Sequence, residues 1–160
     1  ANTHVPNGLA ADFNAAAEEY EEGIKADGGI DIQILGIGSD GHIGFNEPAT
    51  SLVSRTHVQT LMLQTRLDNA RLFFNGKLED VPTRAITMGT GTVLDSRTAI
   101  LMAFGKGKAP AIAGAVEGDT GMCVAGGLCH RRPCAVPRPG TSLEPCCCIP
   151  VPHRCCLFCF

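Results

Sequence analysis

Cysteine is absent from the first 118 residues of this 160-residue chain, and all nine cysteines of the sequence come later. A long segment without cysteine is typical of a cytoplasmic α/β enzyme rather than of a disulfide-bonded secreted domain. The sequence also lacks a secretory signal pattern and any apolar run of about 18 residues, so no membrane span is predicted. The net charge of −3 gives no reason to predict binding to nucleic acid or to a membrane surface. We therefore expect a cytoplasmic protein with neither kind of partner.

The composition changes after residue 118. Residues 119–160 contain all nine cysteines and six of the ten prolines, without a helical or strand period. A zinc module would have His130 and His153 as ligands, but the paired C-x-x-C frame of such modules is missing. A disulfide framework conflicts with the odd number of cysteines. We predict a partial α/β domain over 1–118, followed by a disordered tail over 119–160 that is translated out of frame or joined from a wrong exon.

Helical and extended patterns alternate over residues 1–118. The first helix opens near Asp12, and its glutamates, Glu21 among them, are predicted to face solvent because they lie off the apolar face. Strands are predicted over 30–36, 85–88 and 99–104, with a short extended piece within 58–63 and helices over about 65–74, near 93–95 and up to about 118. Such alternation favours an α/β fold, a three-layer Rossmann-like open parallel sheet.

The loop after the first strand carries three ionisable side chains within eight residues: Asp40, His42 and Glu47. Glycines around them allow tight turns, and a glycine loop after a strand is the usual ligand-binding edge of an open α/β sheet. A histidine titrates near neutral pH, and adjacent carboxylates can orient its ring. The alternative is that the carboxylates are turn and cap residues and that the histidine has only a structural role.

The same loop contains a G-x-G-x-x-G pattern, from Gly36 to Gly41. A dinucleotide site needs a helix that opens at these glycines and an acidic residue about 20 positions further on. Pro48 ends any such helix early, and no acidic residue occurs between Glu47 and Asp68. The sequence therefore argues against a nicotinamide or flavin cofactor.

The run from Leu35 to Pro48, followed by Ser51-Leu52 and Ser54-Arg55-Thr56, closely resembles the signature of the glucosamine-6-phosphate deaminase (isomerase) family. The related 6-phosphogluconolactonases share the D-G-H loop but lack the continuation Phe45-Asn46-Glu47-Pro48. The resemblance implies a sheet of the sugar-phosphate isomerase/deaminase type and conversion of glucosamine 6-phosphate to fructose 6-phosphate and ammonia. It also implies that no cofactor and no metal take part.

Each site residue receives a role from this resemblance. His42 would open the sugar ring by moving a proton at the ring oxygen, with Asp40 and Glu47 orienting and polarising it. Arg71 and Lys108 would bind the substrate phosphate, for which an arginine fork is well suited, and Lys106 is a poorer alternative to Lys108. Without the resemblance, Arg71 would be interpreted as a surface arginine and the Gly105–Lys108 segment as a solvated turn or a weak phosphate loop.

The resemblance covers residues 1–118, in the middle of the family's length. In the family, an earlier segment holds a phosphate loop and the aspartate that removes the C2 proton, so the chain alone is predicted to have no useful activity. A non-catalytic sugar-phosphate-binding relic and a 6-phosphogluconolactonase-like hydrolase remain as alternatives. The family contains hexamers, which leaves a homo-oligomer open for the parent protein.

Overall fold

The computed structural model describes residues 3–47, 49–117, 134–135 and 154–159. Its helices are α1 (Phe13–Ala26), α2 (Leu63–Phe73), α3 (Thr90–Asp95) and α4 (Ala109–Glu117), with short 3-10 turns at Leu78–Asp80 and Lys106–Lys108. Its strands are β1 (Ile32–Leu35), β2 (His57–Thr60), β3 (Arg84–Thr87), β4 (Thr98–Ala103), β5 (Cys134–Ala135) and β6 (Arg154–Cys159). Among the described residues, no helix is long and apolar enough to cross a membrane.

Four strands form the main sheet in the order β1-β4-β6-β5, and all its pairs are parallel. This confirms the predicted α/β class with a parallel sheet. The strand predicted over 85–88 is placed differently, because β3 pairs with β2 as a separate antiparallel ribbon, with His57 opposite Thr87. The order of elements along the chain does not encode strand direction. The extended piece before α2 forms β2, and β3 pairs with this strand instead of joining the main sheet.

The hydrophobic core covers one face of the main sheet. Leu35 and Leu101 face each other in register on β1 and β4 and pack under α4, together with Ile37, Ile43, Val93, Ala99, Ala103, Ala111 and Ala115. The opposite face of β1 is different, because Ile32 is 61% exposed and Ile34 is 60% exposed. The sheet therefore has one packed face and one face on which β1 presents large apolar side chains to solvent.

Two stretches of the predicted tail are described, and both are strands. Arg154–Cys159 pairs in parallel with the whole of β4, and Cys134–Ala135 adds a short strand beyond it. The tail sequence has no strand period and predicts no strand, so these two stretches differ from that expectation. Pairing gives the backbone groups along one edge of β4 hydrogen-bond partners. The rest of the predicted tail and its disorder lie outside the described residues.

Local sequence signals explain where two helices begin. The Asp12 side chain accepts hydrogen bonds from the backbone N–H groups of Asn14 and Ala15, at 2.9 and 3.1 Å, as an N-cap. Pro110 is the second residue of α4, where its missing N–H has no helical partner to lose. Both helices therefore begin where their sequences favour a helix start.

The prediction that Glu21 faces solvent is wrong. Its side chain is buried, and one oxygen accepts hydrogen bonds from the backbone N–H of Thr56 at 2.8 Å, the hydroxyl of Thr56 at 2.6 Å and the hydroxyl of Thr92. Its other oxygen lies 3.5 Å from Nε of Arg55, which also pairs with Asp95 at 2.6 Å. A buried carboxylate requires such donors, and they fasten α1 to the segment before β2 and to α3.

Replacing Glu21 with Gln is expected to lower the free energy of unfolding by about 1–3 kcal/mol at neutral pH, because a buried charged hydrogen-bond acceptor is lost. Burial raises the pKa of Glu21, but hydrogen bonds from Thr56 and Thr92 outweigh it and hold the pKa below 4.5. The ionised carboxylate therefore stabilises the fold above about pH 4.5, and this contribution disappears as the pH falls through the lower folded-state pKa.

Urea unfolding of the unaltered chain and of Glu21→Gln at several pH values measures this effect. Glu19→Gln removes an exposed carboxylate from the same helix and serves as the control. Equal urea midpoints for Glu21→Gln and Glu19→Gln at neutral pH would contradict a stabilising role for the buried network.

Candidate active site

The loop from Gly36 to Glu47 begins at the carboxyl end of β1 and folds back on itself. The Gly38 N–H donates to the His42 carbonyl at 2.9 Å, and the Gly41 N–H donates to the Gly38 carbonyl at 3.2 Å. Gly41 has a φ of 86°, in the left-handed region that favours glycine. This tight turn brings Asp40 and His42 together at the end of the strand.

Asp40 and His42 form a direct pair. Asp40 Oδ1 lies 2.6 Å from His42 Nδ1 and also accepts a hydrogen bond from the backbone N–H of His42 at 3.2 Å. Partial burial raises the pKa of the Asp40 carboxyl, but the backbone N–H and the ring of His42 outweigh it and hold the pKa below 3.8. Asp40 is thus anionic at neutral pH and orients the imidazole.

Glu47 is the buried member of the trio, with an exposed fraction of 6%. Its Oε1 accepts hydrogen bonds from Thr65 Oγ1 at 2.9 Å and from the Met62 backbone N–H at 3.3 Å, both at the start of α2. Its Oε2 is buried and has no hydrogen-bond partner among the described residues. One ligand-type atom from each of Asp40, His42 and Glu47 lies within 4.8 Å of the others. The fold therefore brings all three predicted side chains together.

The antiparallel ribbon anchors the end of this loop. The Asn46 side chain is 1% exposed and donates to the carbonyls of Ile43 at 2.9 Å and Met88 at 2.8 Å. The backbone N–H of Phe45 donates to Thr87 Oγ1 at 3.1 Å. Glu47 follows directly, so its position depends on β3 and on α2.

A cavity of about 390 Å³ opens beside His42. Arg71 and Lys108 both line it, the first from the last turn of α2 and the second from the 3-10 turn before α4. Arg71 is exposed and lies 3.6 Å from Asp68 across one turn of its helix. The cavity thus has an imidazole on its wall and two cations among its lining residues, an arrangement suited to a phosphorylated ligand.

The α2 face of this cavity contains Thr65, Asp68 and Leu72, which have no role in the sequence-based prediction. With Asn69, they follow the spacing of 0, 3, 4 and 7 that defines one face of a helix. That spacing is the sequence signal that could have identified them. Thr65 matters most, because it is the side-chain donor to Glu47.

Fold and cavity together define an α/β protein with a carboxylate–histidine site at the carboxyl end of a parallel strand. The cavity beside this site is also lined by two cationic side chains. A protein-family model described as glucosamine-6-phosphate isomerases/6-phosphogluconolactonase matches residues 1–141. The chain belongs to this family.

Within this family, the chain is similar to curated glucosamine-6-phosphate deaminases. Glucosamine-6-phosphate deaminase of Streptomyces coelicolor is 54% identical over 124 residues, which are 77% of this chain and 47% of that protein. Glucosamine-6-phosphate deaminase of Shewanella loihica is 55% identical over 133 residues, which are 82% of this chain and 49% of that protein. The chain thus spans about half the length of the curated relatives it matches.

Solved structures agree on the fold. A monomeric glucosamine-6-phosphate deaminase superposes with a TM-score of 0.78 at 38% identity, over 98% of this chain and 56% of that one. A 6-phosphogluconolactonase from Shewanella baltica superposes with a TM-score of 0.59 at 16% identity, over 96% of this chain and 55% of that one. The lactonase likeness concerns the fold alone.

Proposed function

We propose that this chain forms part of an enzyme that converts glucosamine 6-phosphate to fructose 6-phosphate and ammonia. The observation that carries the proposal is one cavity lined by His42, Arg71 and Lys108, with ligand-type atoms of Asp40 and Glu47 within 4.8 Å of that of the histidine. Relatives that are more than half identical over most of this chain and are named deaminases support this substrate.

His42 acts on the closed form of the sugar. With Asp40 on Nδ1, the opposite ring nitrogen, Nε2, exchanges protons with the substrate. Opening the ring transfers a proton to the ring oxygen as the bond from that oxygen to C1 breaks, while the C1 hydroxyl loses its proton to form the carbonyl. Asp40 and Glu47 stabilise the imidazolium that appears in this exchange.

Arg71 and Lys108 bind the substrate phosphate at a distance from the bonds that change. Arg71 donates two parallel hydrogen bonds to phosphate oxygens, and Lys108 adds a point charge. Phosphate competes with Asp68 for Arg71, because these two side chains form an exposed ion pair in the free site. This remote binding energy helps to orient the sugar for reaction at C1 and C2.

Isomerisation then requires a base that removes the C2 proton. The family resemblance assigns that base to an aspartate without a counterpart in residues 1–118. No organic cofactor or metal is needed in this scheme. The cysteine-free segment supports a cytoplasmic location.

An assay for ammonia release from glucosamine 6-phosphate tests the proposal. It is made on the 160-residue chain and on a chimera in which residues 1–118 replace the matching segment of the Streptomyces coelicolor relative. We expect turnover by the chimera and none by the chain alone. Hydrolysis of 6-phosphogluconolactone by the chimera without ammonia release would favour the lactonase alternative. Calorimetric binding of the sugar phosphate without turnover by either protein would favour the binding relic.

Replacing Thr65 with Val in the chimera is expected to lower kcat about 10-fold, because Glu47 loses a charged hydrogen bond of about 1.5 kcal/mol. Val keeps the shape of Thr, so the substitution removes mainly the hydroxyl. Thr65→Ser keeps the hydroxyl and is expected to retain most of the rate. Wild-type kcat in Thr65→Val would contradict a role for this hydrogen bond in turnover.

A further inference from the structure

We propose that Asp40, His42 and Glu47 bind one divalent transition-metal ion of the zinc class. Their ligand-type atoms lie within 4.8 Å of one another, so a modest movement of the side chains would bring all three within reach of a single ion. An imidazole with two carboxylates is a donor set that zinc accepts, and three protein ligands leave a fourth position open. The proposed reaction makes no use of such an ion.

The strongest support is the free oxygen of Glu47. This side chain is more than nine-tenths buried, yet Oε2 has no hydrogen-bond partner among the described residues. A buried carboxylate oxygen without a donor is costly, and a cation satisfies it. The site of the ion is therefore partly prepared before it binds.

Hydrogen bonds around the trio fix two of the three ligands. Thr65 and the backbone of Met62 hold Oε1 of Glu47, and the backbone of His42 holds Oδ1 of Asp40. Partners of this kind orient metal ligands and raise affinity. Neighbouring hydrogen-bond donors thus hold these carboxylates in place, which is not the case in a chance cluster of surface acids.

Metal binding requires a small rearrangement. Two ligands of a tetrahedral zinc ion lie about 3.3 Å apart, whereas Asp40 Oδ1 and His42 Nδ1 are 2.6 Å apart. The ion must therefore replace the proton between these atoms and widen the pair. Glycines at 38, 41 and 44 in the loop allow such a shift.

The consequence for activity rests on the proposed function. An ion between Asp40 and His42 replaces the proton on Nδ1 and ends the contact by which Asp40 orients the imidazole. Zinc is therefore expected to inhibit ammonia release, and a chelator is expected to reverse the inhibition. Metal binding itself needs no substrate. It can therefore be measured whether or not the chimera is a deaminase.

The direct test is a titration with CoCl₂, whose visible bands report the ligands of the ion. It uses the 160-residue chain with all nine cysteines replaced by serine, which removes competing thiolates, and far-UV circular dichroism checks the fold. We expect saturable one-to-one binding that ZnCl₂ reverses. His42→Gln and Glu47→Gln are each expected to weaken it at least tenfold, and His57→Gln, a histidine outside the trio, is expected to leave it unchanged.

A second measurement protects the test against misfolding of the serine-substituted chain. In the unaltered chain, paramagnetic Mn²⁺ is expected to broaden the ring-proton NMR signals of His42 more than those of the other four histidines. Equal Co²⁺ affinity in the His42→Gln variant, or equal broadening of all five histidines, would overturn the proposal.

Discussion

Replacing His42 with Gln in the chimera is expected to reduce turnover of glucosamine 6-phosphate by roughly 100- to 10,000-fold, the usual contribution of a general acid–base group. Gln cannot transfer a proton at neutral pH, although it retains some hydrogen-bonding capacity. KM is expected to change little, because Arg71 and Lys108 bind the phosphate in the proposed scheme. The loss is therefore expected in kcat.

Initial-rate assays of ammonia release over a range of substrate concentrations separate kcat from KM. His57→Gln is the matched control, since it makes the same substitution at a histidine that bonds to the Arg55 carbonyl at 2.7 Å, outside the cavity lining. Wild-type kcat in the His42→Gln variant would refute the assignment of ring opening to this imidazole.

Gly38→Ala is expected to reduce kcat by roughly 100-fold, the scale of effect that a displacement of about 1 Å has at a catalytic centre. A Cβ on Gly38 would overlap the His42 ring at Cε1 and Nδ1 and would lie 2.7 Å from Asp40 Oδ1. The added methyl group thus forces the Asp40–His42 pair apart. Unlike His42→Gln, this variant keeps every ionisable group and changes only their geometry.

Gly23→Ala is the control for this substitution, because a Cβ on Gly23 meets nothing within 4 Å and a helix interior favours Ala over Gly. Crystals or NMR spectra of Gly38→Ala would show the separated pair, and kinetics would show the lost rate. An unchanged kcat, with the chimera still folded, would mean that the close contact between Asp40 and His42 is not needed for turnover.

Local sequence signals were sufficient for several parts of the structure. Asp12 caps α1, and an apolar run followed by glycines placed β1 and its loop. Asp40, His42 and Glu47 lie within eight residues, so one loop was enough to bring them together. The proposed phosphate-binding role of Arg71 rests on the family resemblance, since the local sequence does not distinguish this arginine from any other exposed arginine.

The features that the sequence did not predict depend on contacts between residues that are far apart in the chain. The helical pattern of α1 predicts Glu21 in solvent, and it cannot reveal the hydrogen-bond donors Thr56 and Thr92, which are 35 and 71 residues away. Strand direction was also missed for β3, whose antiparallel partner is β2. Burial of a charge and pairing of a strand both depend on which distant segments meet, and hydrophobic periodicity carries no such information.

The exposed isoleucines on β1 have a consequence for how long the chain survives in a cell. Ile32 and Ile34 lie on a strand that pairs only with β4 among the described residues, so apolar surface and an open strand edge coincide. Such surfaces promote aggregation and are recognised by chaperones and proteases. We expect a short cellular half-life and a low soluble yield for the isolated chain. Ile34→Lys is expected to raise the soluble yield and leave the loop around His42 intact.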